Sequence, residues 1–222
     1  MSKMNWDQAY ASQGAVWGKQ PGELTIFACQ YLGGLKAPDE FEIADLGCGY
    51  GRDVLHLAKT LGCSVTGIDS SPKAISLAFE SCPADLSPRI QFRCADFGDL
   101  DKPYSAIFAS NLYQVLPVNE RVRLVQSIKK YLRPDGLLFL STLSTSDPEE
   151  FGRGTPVAGE DNSFEREKLL HFSTHAELEK EFAFLKIERL FEHEYLEPHA
   201  GAPAHHHISW MLVAVKPKNQ TD

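Results

Sequence analysis

The sequence lacks the features that would commit it to a membrane or to an oxidising compartment. No uninterrupted apolar run approaches the roughly 20 residues that a membrane-spanning helix needs. The first residues contain no apolar stretch of the kind found in signal peptides. The cysteines stand singly and form no CxxC pair, which is typical of reduced thiols. We therefore expect a cytoplasmic protein without a membrane partner.

Basic residues are also scarce. The chain has 22 lysines and arginines against 30 acidic residues, and its formal net charge is −8. This balance repels a phosphate backbone, and no basic stripe offsets it, so nucleic acid is not expected as a partner. The 222 residues are 43% hydrophobic and 23% charged, which is typical of a globular chain with room for one sizeable domain. We expect a monomer or a homodimer.

Apolar runs and helical patterns alternate through the first two thirds of the chain. The spacing predicts strands at residues 41–46, 64–68, 90–94, 104–109 and 137–143. It predicts helices at residues 23–32, 54–61, 72–82 and 120–132. Ser71 is placed to cap the third of these helices and Asn119 the fourth. Strands that alternate with helices at this spacing indicate βαβ units and a largely parallel sheet.

The last third of the chain breaks this alternation. Residues 144–166 are polar and rich in glycine, proline and acidic residues, which predicts a long loop or lid. Thr174 with Glu177 predicts a capping box that opens a short helix. Two strand-like runs, 185–195 and 207–215, follow without a helix between them and predict an antiparallel hairpin.

The expected fold is therefore α/β: a doubly wound three-layer sandwich with a mostly parallel seven-stranded sheet and a C-terminal antiparallel hairpin. Neither an internal repeat nor an interdomain linker is present, so we expect a single domain, 1–222. Its expected parts are an N-terminal cap segment (1–38), a cofactor-binding core (39–144), a lid-like loop (145–166) and a C-terminal helix with the hairpin (167–222).

A glycine-rich turn carries the strongest functional signal. Gly47, Gly49 and Gly51 follow the first strand and open a helix, at the edge where doubly wound sheets bind ligands. Glycine allows positive φ and a close approach of the backbone to a ligand. The spacing is GxGxG, whereas the dinucleotide fingerprint is GxGxxG. Asp45, two residues earlier, would oppose a pyrophosphate but would favour a cationic ligand with an amino group.

This motif resembles the first motif of the class I S-adenosylmethionine-dependent methyltransferases, which has the form acidic-x-Gly-x-Gly-x-Gly. Later segments fall where that family has its other motifs, and the resemblance covers residues 40–145 well and the rest loosely. It implies a Rossmann-like methyltransferase fold, S-adenosylmethionine as the cofactor and S-adenosylhomocysteine as its product. It also implies an enzyme that transfers a methyl group to a small-molecule acceptor.

The resemblance further implies a set of cofactor contacts. Asp69 matches the acid that binds both ribose hydroxyls, and Asp96, with Phe97 nearby, matches the acceptor for the adenine amino group. Asn111 matches the loop beside the methionine part. The family's acid early in the fourth strand is replaced here by Ser105. The implied cofactor-binding residues are Tyr10, Trp17, Asp45, Gly47, Cys48, Gly49, Gly51, Asp69, Ser70, Asp96, Phe97 and Asn111.

A narrower resemblance lies in Trp17–Pro21 together with Gly51–Asp53, which are similar to segments of the tellurite-resistance and thiopurine methyltransferase-like group. Members of that group act on small thiols, on selenium or tellurium species, or on unassigned acceptors. Aromatic residues this close to the start, such as Tyr10 and Trp17, close over the cofactor in similar enzymes. The alternative is that they only fasten the N-terminal segment to the core.

Four histidines, His199 and His205–His207, lie within nine residues of one another. On an extended chain His205 and His207 share one face, and His206 points the other way. We predict that His205 and His207 serve the acceptor site, as bases if the acceptor is a hydroxyl or an amine. A solvated hairpin turn is the alternative. No metal site is predicted, because neither Cys nor Asp lies close by to complete a ligand set.

The sequence leaves two other classes of function open. One is a nicotinamide-dependent oxidoreductase, which the GxGxG spacing and Asp45 oppose. The other is a non-catalytic regulatory protein that binds S-adenosylmethionine.

Overall fold

The computed structural model describes residues 6–33, 41–199 and 202–218. Its helices are α1 (Trp6–Gln13), α2 (Glu23–Gly33), α3 (Arg52–Leu61), α4 (Pro72–Ser81), α5 (Val118–Tyr131) and α6 (His175–Glu181). Its strands are β1 (Glu42–Leu46), β2 (Ser64–Asp69), β3 (Ile90–Cys94), β4 (Tyr104–Ser110), β5 (Leu132–Leu143), β6 (Thr155–Pro156), β7 (Ser163–Glu165), β8 (Leu169–His171), β9 (Lys186–His199) and β10 (Ala202–Val215).

Within the described ranges the main sheet has seven strands in the order β3-β2-β1-β4-β5-β10-β9. Strands β1 to β5 pair in parallel, and β10 runs antiparallel to both β5 and β9. The strand order therefore reverses between β1 and β4, and such a reversal opens a ligand crevice at the carboxyl ends of the strands. The predicted doubly wound sheet with its C-terminal hairpin is confirmed.

The sheet is buried on both faces. Consecutive residues of β1, Ile43 and Ala44, belong to two different hydrophobic clusters on opposite sides of the sheet. Helices α2, α3 and α4 cover one side, and α5 and α6 cover the other. Helices on both faces explain why the central strands read as continuous apolar runs in the sequence. No helix in the described part of the chain has the length and apolar character needed to cross a membrane.

Helix caps account for two successes and one error of the sequence analysis. Ser71 caps α4 as predicted, because its hydroxyl accepts a hydrogen bond from Ala74 N at 3.0 Å. The predicted cap at Asn119 is wrong. Helix α5 begins at Val118 behind Pro117, so that Asn119 already lies inside the first turn, where a cap has no role. Thr174 accepts from Glu177 N at 3.2 Å and caps α6 as predicted.

The hairpin is longer than predicted. Strand β10 starts at Ala202, and His205, His206 and His207 pair with Glu197, Leu196 and Tyr195 of β9, respectively. The alternative of a solvated turn at these histidines is therefore wrong. Their backbone belongs to the sheet.

The segment 144–166, predicted as a long loop or lid, contains short strands that the sequence did not indicate. Strands β6 and β7 lie in this segment and form a small antiparallel sheet with β8. Below it, Leu143, Leu170 and Phe172 form a buried apolar cluster. Polar composition did not reveal this sheet, because its strands are only two or three residues long.

A buried ion pair ties the small sheet to α5. Arg121 Nη2 lies 3.1 Å from Glu160 Oε2, and the two side chains are only 7% and 9% exposed. Behind them, Ser163 Oγ lies 2.9 Å from His171 Nδ1, and His171 Nε2 lies 2.7 Å from Glu177 Oε1. Buried polar networks whose members are all paired specify one arrangement of the segments they join.

We expect the small sheet to be ordered before any ligand binds. The amides of Val157, Phe172 and Ser173 donate to Ser163 O, Asn162 O and Leu143 O at 2.9, 2.9 and 2.8 Å. In hydrogen exchange of the free protein, these amides should exchange far more slowly than in an unstructured peptide. Exchange at peptide rates that slows only after ligand addition would instead support the lid predicted from the sequence.

Candidate cofactor and acceptor site

The glycine turn between β1 and α3 has the backbone that its glycines suggest. Gly47, Gly49 and Gly51 all have positive φ, at 71°, 53° and 81°. Gly47 N and Cys48 N donate to Ile68 O at 2.8 and 3.0 Å, which holds the turn against the end of β2. A Cβ on Gly49 would lie 2.8 Å from Tyr10 Oη. Side chains are therefore excluded where the backbone lines the crevice.

Asp69 lies at the end of β2, beside this turn. Its two carboxylate oxygens accept hydrogen bonds from Gly49 N at 2.9 Å and from Ser71 N at 2.8 Å. Burial raises its pKa, although the backbone amides of Ser71, Gly49 and Ser70 oppose that rise. The carboxylate is thus held at fixed geometry, with its remaining lone pairs available to hydroxyl donors such as those of a ribose.

Asp45 is buried at the end of β1, with only 2% of its surface exposed. Burial raises its pKa well above the ordinary value, the nearby carboxylates of Asp53 and Asp69 raise it further, and Arg52 opposes them. Asp53 accepts from Gly22 N at 2.7 Å. Three carboxylates around one arginine form a setting that favours a cationic ligand.

An aromatic cluster covers the turn. Tyr10 is buried and lies edge-on to Trp17 and Tyr50, at 6.2 and 6.1 Å between ring centroids. Tyr50 Oη donates to Gly18 O at 2.7 Å, and Arg52 Nη1 donates to Trp17 O at 2.9 Å. The predicted residues Tyr10 and Trp17 thus lie beside the predicted cofactor turn. Tyr50 was not selected from the sequence, since a tyrosine inside a glycine turn has no distinctive pattern.

Asp96 and Phe97 lie just beyond the end of β3, which is the edge strand of the main sheet next to β2. Asp96 Oδ1 accepts from Gly98 N at 2.8 Å and from Arg123 Nη2 at 2.9 Å. The Arg123 guanidinium lies 5.3 Å from the centre of the Phe97 ring. The sequence did not reveal this arginine, because it belongs to α5. An adenine contact at Asp96 stays a prediction.

Two further predicted residues, Cys48 and Ser70, lie at the turn and at the end of β2. Burial raises the pKa of the Cys48 thiol well above its ordinary value, and the carboxylates of Asp45 and Asp69 add to the effect. The thiol therefore stays protonated, and its small size fits the tight turn. Ser70 follows Asp69, and its backbone amide is one of the groups that oppose the rise in the Asp69 pKa.

A cleft of about 400 Å³ opens next to the turn. Its walls come from the N-terminal segment, α2, the start of α3, the ends of β4 and β5, and the hairpin. The lining residues are Trp17, Gln20, Pro21, Gly22, Glu23, Leu24, Ile26, Arg52, Ser110, Asn111, Ser141, Tyr195, Leu196, Glu197, Ser209 and Met211. Two of the predicted residues, Trp17 and Asn111, are among them. Asn111 has a φ of 54°, and its Oδ1 accepts from Ser141 Oγ at 3.2 Å.

The histidines have the orientation that strand periodicity predicts. The rings of His205 and His207 lie on one face, 5.9 Å apart, whereas His206 Nε2 lies 2.6 Å from Glu194 Oε1 on the other. His207 is buried and lies behind the cleft-lining Tyr195, at 5.8 Å between ring centroids. The side chain of His199 lies outside the described residues.

Asp147 is the residue that sequence reasoning missed most clearly. Its side chain is fully buried, and its Oδ2 lies 2.9 Å from His207 Nδ1 and accepts from Ile208 N at 3.1 Å. It stands in the segment interpreted from the sequence as a polar loop, 60 residues from His207 along the chain. Within the described residues, no group of three or more His, Cys, Asp or Glu side chains is arranged to hold a metal ion.

Fold and site together define an α/β domain with a glycine turn at the carboxyl end of β1 and a cleft beside that turn. Comparison with known proteins shows what this arrangement resembles. Residues 43–136 match the family described as a methyltransferase domain. This match supports the resemblance found in the sequence over a segment that is less than half of the chain.

Two curated relatives show the range of this similarity. A carboxy-S-adenosyl-L-methionine synthase from Shewanella woodyi is 31% identical over 109 residues, which are 47% of this chain and 44% of the relative. An arsenite methyltransferase from Halobacterium salinarum is 28% identical over 147 residues, 64% of this chain and 35% of the relative. The matches thus span less than half of either relative.

Solved structures extend the likeness to almost the whole fold. An S-adenosylmethionine-dependent methyltransferase from Anabaena variabilis superimposes with a TM-score of 0.72 at 18% identity. The match covers 96% of this chain and 93% of that one. TehB from Haemophilus influenzae gives 0.65 at 15% identity, covering 95% and 67%. The chain therefore has the Rossmann-like methyltransferase fold, hairpin included.

Proposed function

We propose that this chain is an enzyme that binds S-adenosylmethionine at the glycine turn and transfers its methyl group to a small acceptor in the adjoining cleft. The observation that carries the proposal is the turn itself: three alternating glycines with positive φ, tied through Gly49 N to the Asp69 carboxylate. This turn lies inside the segment that matches a methyltransferase domain.

The residues present fit this cofactor. Its amino group and sulfonium are cationic, and the buried Asp45, with Asp53 and Asp69 around it, favours positive charge. Asp69 is positioned for the ribose hydroxyls, and Asp96 is the proposed partner of the adenine amino group. A pyrophosphate would meet the same carboxylates unfavourably, which argues against a nicotinamide dinucleotide.

When bound, the cofactor supplies an electrophilic methyl group. The chain's task is to align the acceptor with that group, and alignment alone lowers such barriers by roughly 7–11 kcal/mol. We assign alignment to the cleft walls at Asn111, Ser141 and Tyr195, which face each other across the ends of β4, β5 and β9. Trp17 and Tyr10 close the cofactor side and exclude water.

The narrower likeness to the tellurite-resistance and thiopurine methyltransferase-like group is part of the proposal. It is supported by the Trp17–Pro21 segment, which forms one wall of the cleft, and by the fold of TehB. This likeness concerns how the N-terminal segment closes the site, and we do not extend it to the acceptor.

Replacing both His205 and His207 with alanine is expected to lower methyl transfer by at least about tenfold and to leave cofactor affinity within about twofold. The reason is their place behind the hairpin wall of the cleft, away from the glycine turn. Full turnover in the double variant would exclude both residues from the acceptor site. Loss of activity with chelators, restored by zinc, would point to a metal site instead.

The proposed activity is tested by incubating the purified chain with S-adenosylmethionine and a panel of small thiols, amines, alcohols and carboxylic acids. We expect acceptor-dependent formation of S-adenosylhomocysteine. Tight cofactor binding without turnover on any acceptor would favour the non-catalytic regulatory protein.

A further inference from the structure

The wall of the cleft formed by the hairpin carries a carboxylate held by a buried histidine. Glu197 lines the cleft, its side chain is 17% exposed, and its Oε2 lies 3.9 Å from His207 Nε2. On the other side of the imidazole, Asp147 Oδ2 lies 2.9 Å from Nδ1. The three side chains thus form a series in which Asp147 holds His207 and His207 faces Glu197.

Asp147 is itself fixed by the backbone. Its Oδ1 accepts from Glu149 N at 3.1 Å and from Glu150 N at 2.8 Å, and its Oδ2 accepts from Ile208 N at 3.1 Å. Because these hydrogen bonds and His207 outweigh burial, the pKa of Asp147 is lowered. A buried carboxylate held this firmly orients the imidazole with Nε2 toward the cleft wall.

His207 lies between two carboxylates, an environment that favours the protonated imidazole. Burial alone would lower its pKa, but hydrogen bonding to Asp147 and the charges of Asp147, Glu197 and Glu150 raise it. The other titratable groups against it are Tyr195, whose ring lies 5.8 Å away, and His205 at 5.9 Å. Both nitrogens of the imidazole face carboxylates, and of the three side chains Glu197 is the one that lines the cleft.

The rest of the cleft is also acidic. Among its charged lining residues, Glu23 and Glu197 are negative, and Arg52 is balanced by Asp53, with Nε and Oδ2 3.6 Å apart. Glu23, at the start of α2, has its Oε2 3.1 Å from Nε2 of His193 on β9. An anionic acceptor such as a carboxylate or a thiolate would meet repulsion at this wall, and a protonated amine would meet attraction.

We propose that the acceptor is a small amine bound through its ammonium group to Glu197, with His207 and Asp147 as positioning residues. This proposal rests on the proposed methyl transfer. Before transfer the ammonium gives one proton to Glu197. The nitrogen lone pair then forms the new N–C bond while the pair of the broken S–C bond stays on sulfur, which leaves a thioether and a methylammonium product.

The acceptor's remaining surface meets an apolar wall. Leu24 and Met211 line the cleft beside Trp17 and Tyr195. Tyr195 Oη and Ser209 Oγ lie 3.3 Å apart and satisfy each other, so the tyrosine presents chiefly its ring. An aromatic or branched carbon skeleton next to the amine therefore suits the cleft.

Binding to the protein saturated with S-adenosylhomocysteine tests this proposal without relying on turnover. Three probes share one skeleton: 2-phenylethylamine, 2-phenylethanethiol and 3-phenylpropanoate. By calorimetry the amine is expected to bind at least about tenfold more tightly than the other two, as a charge-assisted contact requires. No detectable binding of the amine, or equal or tighter binding of the thiol or the carboxylate, overturns the proposal.

Matched variants on one strand locate the contact. Glu197→Gln should weaken amine binding by at least about tenfold and leave S-adenosylhomocysteine affinity within about twofold. Glu194→Gln, on the opposite face of β9 beside His206, should change neither affinity. Unchanged amine binding in Glu197→Gln contradicts the assignment.

The positioning role has its own readout. In Asp147→Asn, the NMR titration midpoint of His207 should fall relative to the wild type, and amine affinity should fall with it. A midpoint that does not move contradicts the series of three side chains. Failure of S-adenosylhomocysteine to bind the wild-type chain would instead refute the proposed function, so that the two failures are distinguishable.

Discussion

Replacing Asp69 with alanine is expected to weaken the binding of S-adenosylhomocysteine by about 30-fold or more. In the proposed complex, its carboxylate accepts two hydroxyl hydrogen bonds, and such charge-assisted bonds contribute roughly 1.5–3 kcal/mol. A loss of about 2 kcal/mol corresponds to this change in affinity. The substitution also removes the carboxylate that accepts hydrogen bonds from Gly49 N and Ser71 N, and these bonds hold the turn in shape. Calorimetric titration of the folded variant measures the effect.

Two controls separate ribose binding from damage to the turn. Asp69→Asn retains an oxygen for one backbone amide but loses the charge, and it should still weaken binding. Asp85→Ala, at an exposed position beyond α4, should bind as the wild type does. Wild-type affinity in a folded Asp69→Ala protein would refute the ribose assignment.

Replacing Asp45 with asparagine is expected to have opposite effects on binding and on stability. Without the buried carboxylate, the affinity for the cofactor's amino group should fall by about 30-fold or more. The free protein should nevertheless gain on the order of 1–3 kcal/mol in its free energy of unfolding at neutral pH, since burial, Asp53 and Asp69 together disfavour the charged carboxylate that is removed. For a chain of this size, each kcal/mol raises Tm by roughly 2–4 °C.

The pH dependence of stability and of cofactor affinity follows from the raised pKa of Asp45. The pKa of Asp45 is higher in the folded protein than in the unfolded chain, where it has the ordinary value of 3.8. Its protonated form therefore stabilises the fold fully below that value, and this contribution is lost as pH rises through the folded pKa. Cofactor affinity should change in the opposite direction, increasing as the carboxylate ionises. Asp45→Asn should remove the change due to Asp45 from the pH profile of stability and from the pH profile of cofactor affinity. An unchanged pH profile of binding in the variant would contradict the role of Asp45.

The sheet and the cofactor turn were predictable because their signals are local. The apolar runs of β1 to β5, the glycines at 47, 49 and 51, and the Ser71 cap each depend on neighbours within a few residues. Even the shared face of His205 and His207 follows from strand periodicity alone. Predicting these features required only the residue alternation of a strand or the residue pattern at the start of a helix.

The acceptor side was not predictable in the same way, because its contacts join distant segments. Asp147 meets His207 across 60 positions, and Glu160 meets Arg121 across 39. Nothing in the local sequence around Asp147 distinguishes a buried carboxylate from a solvated loop acid. Helix α1 escaped prediction for a related reason: only Tyr10 of its residues is buried, so it lacks an apolar stripe.

The most direct test of the central claim is a calorimetric comparison of S-adenosylhomocysteine and NAD on the same preparation of the free chain. The geometry of Asp45, Asp69 and the glycine turn predicts saturable binding of S-adenosylhomocysteine, with NAD binding far more weakly or not at all. Preferential binding of NAD, or no binding of S-adenosylhomocysteine, would contradict it.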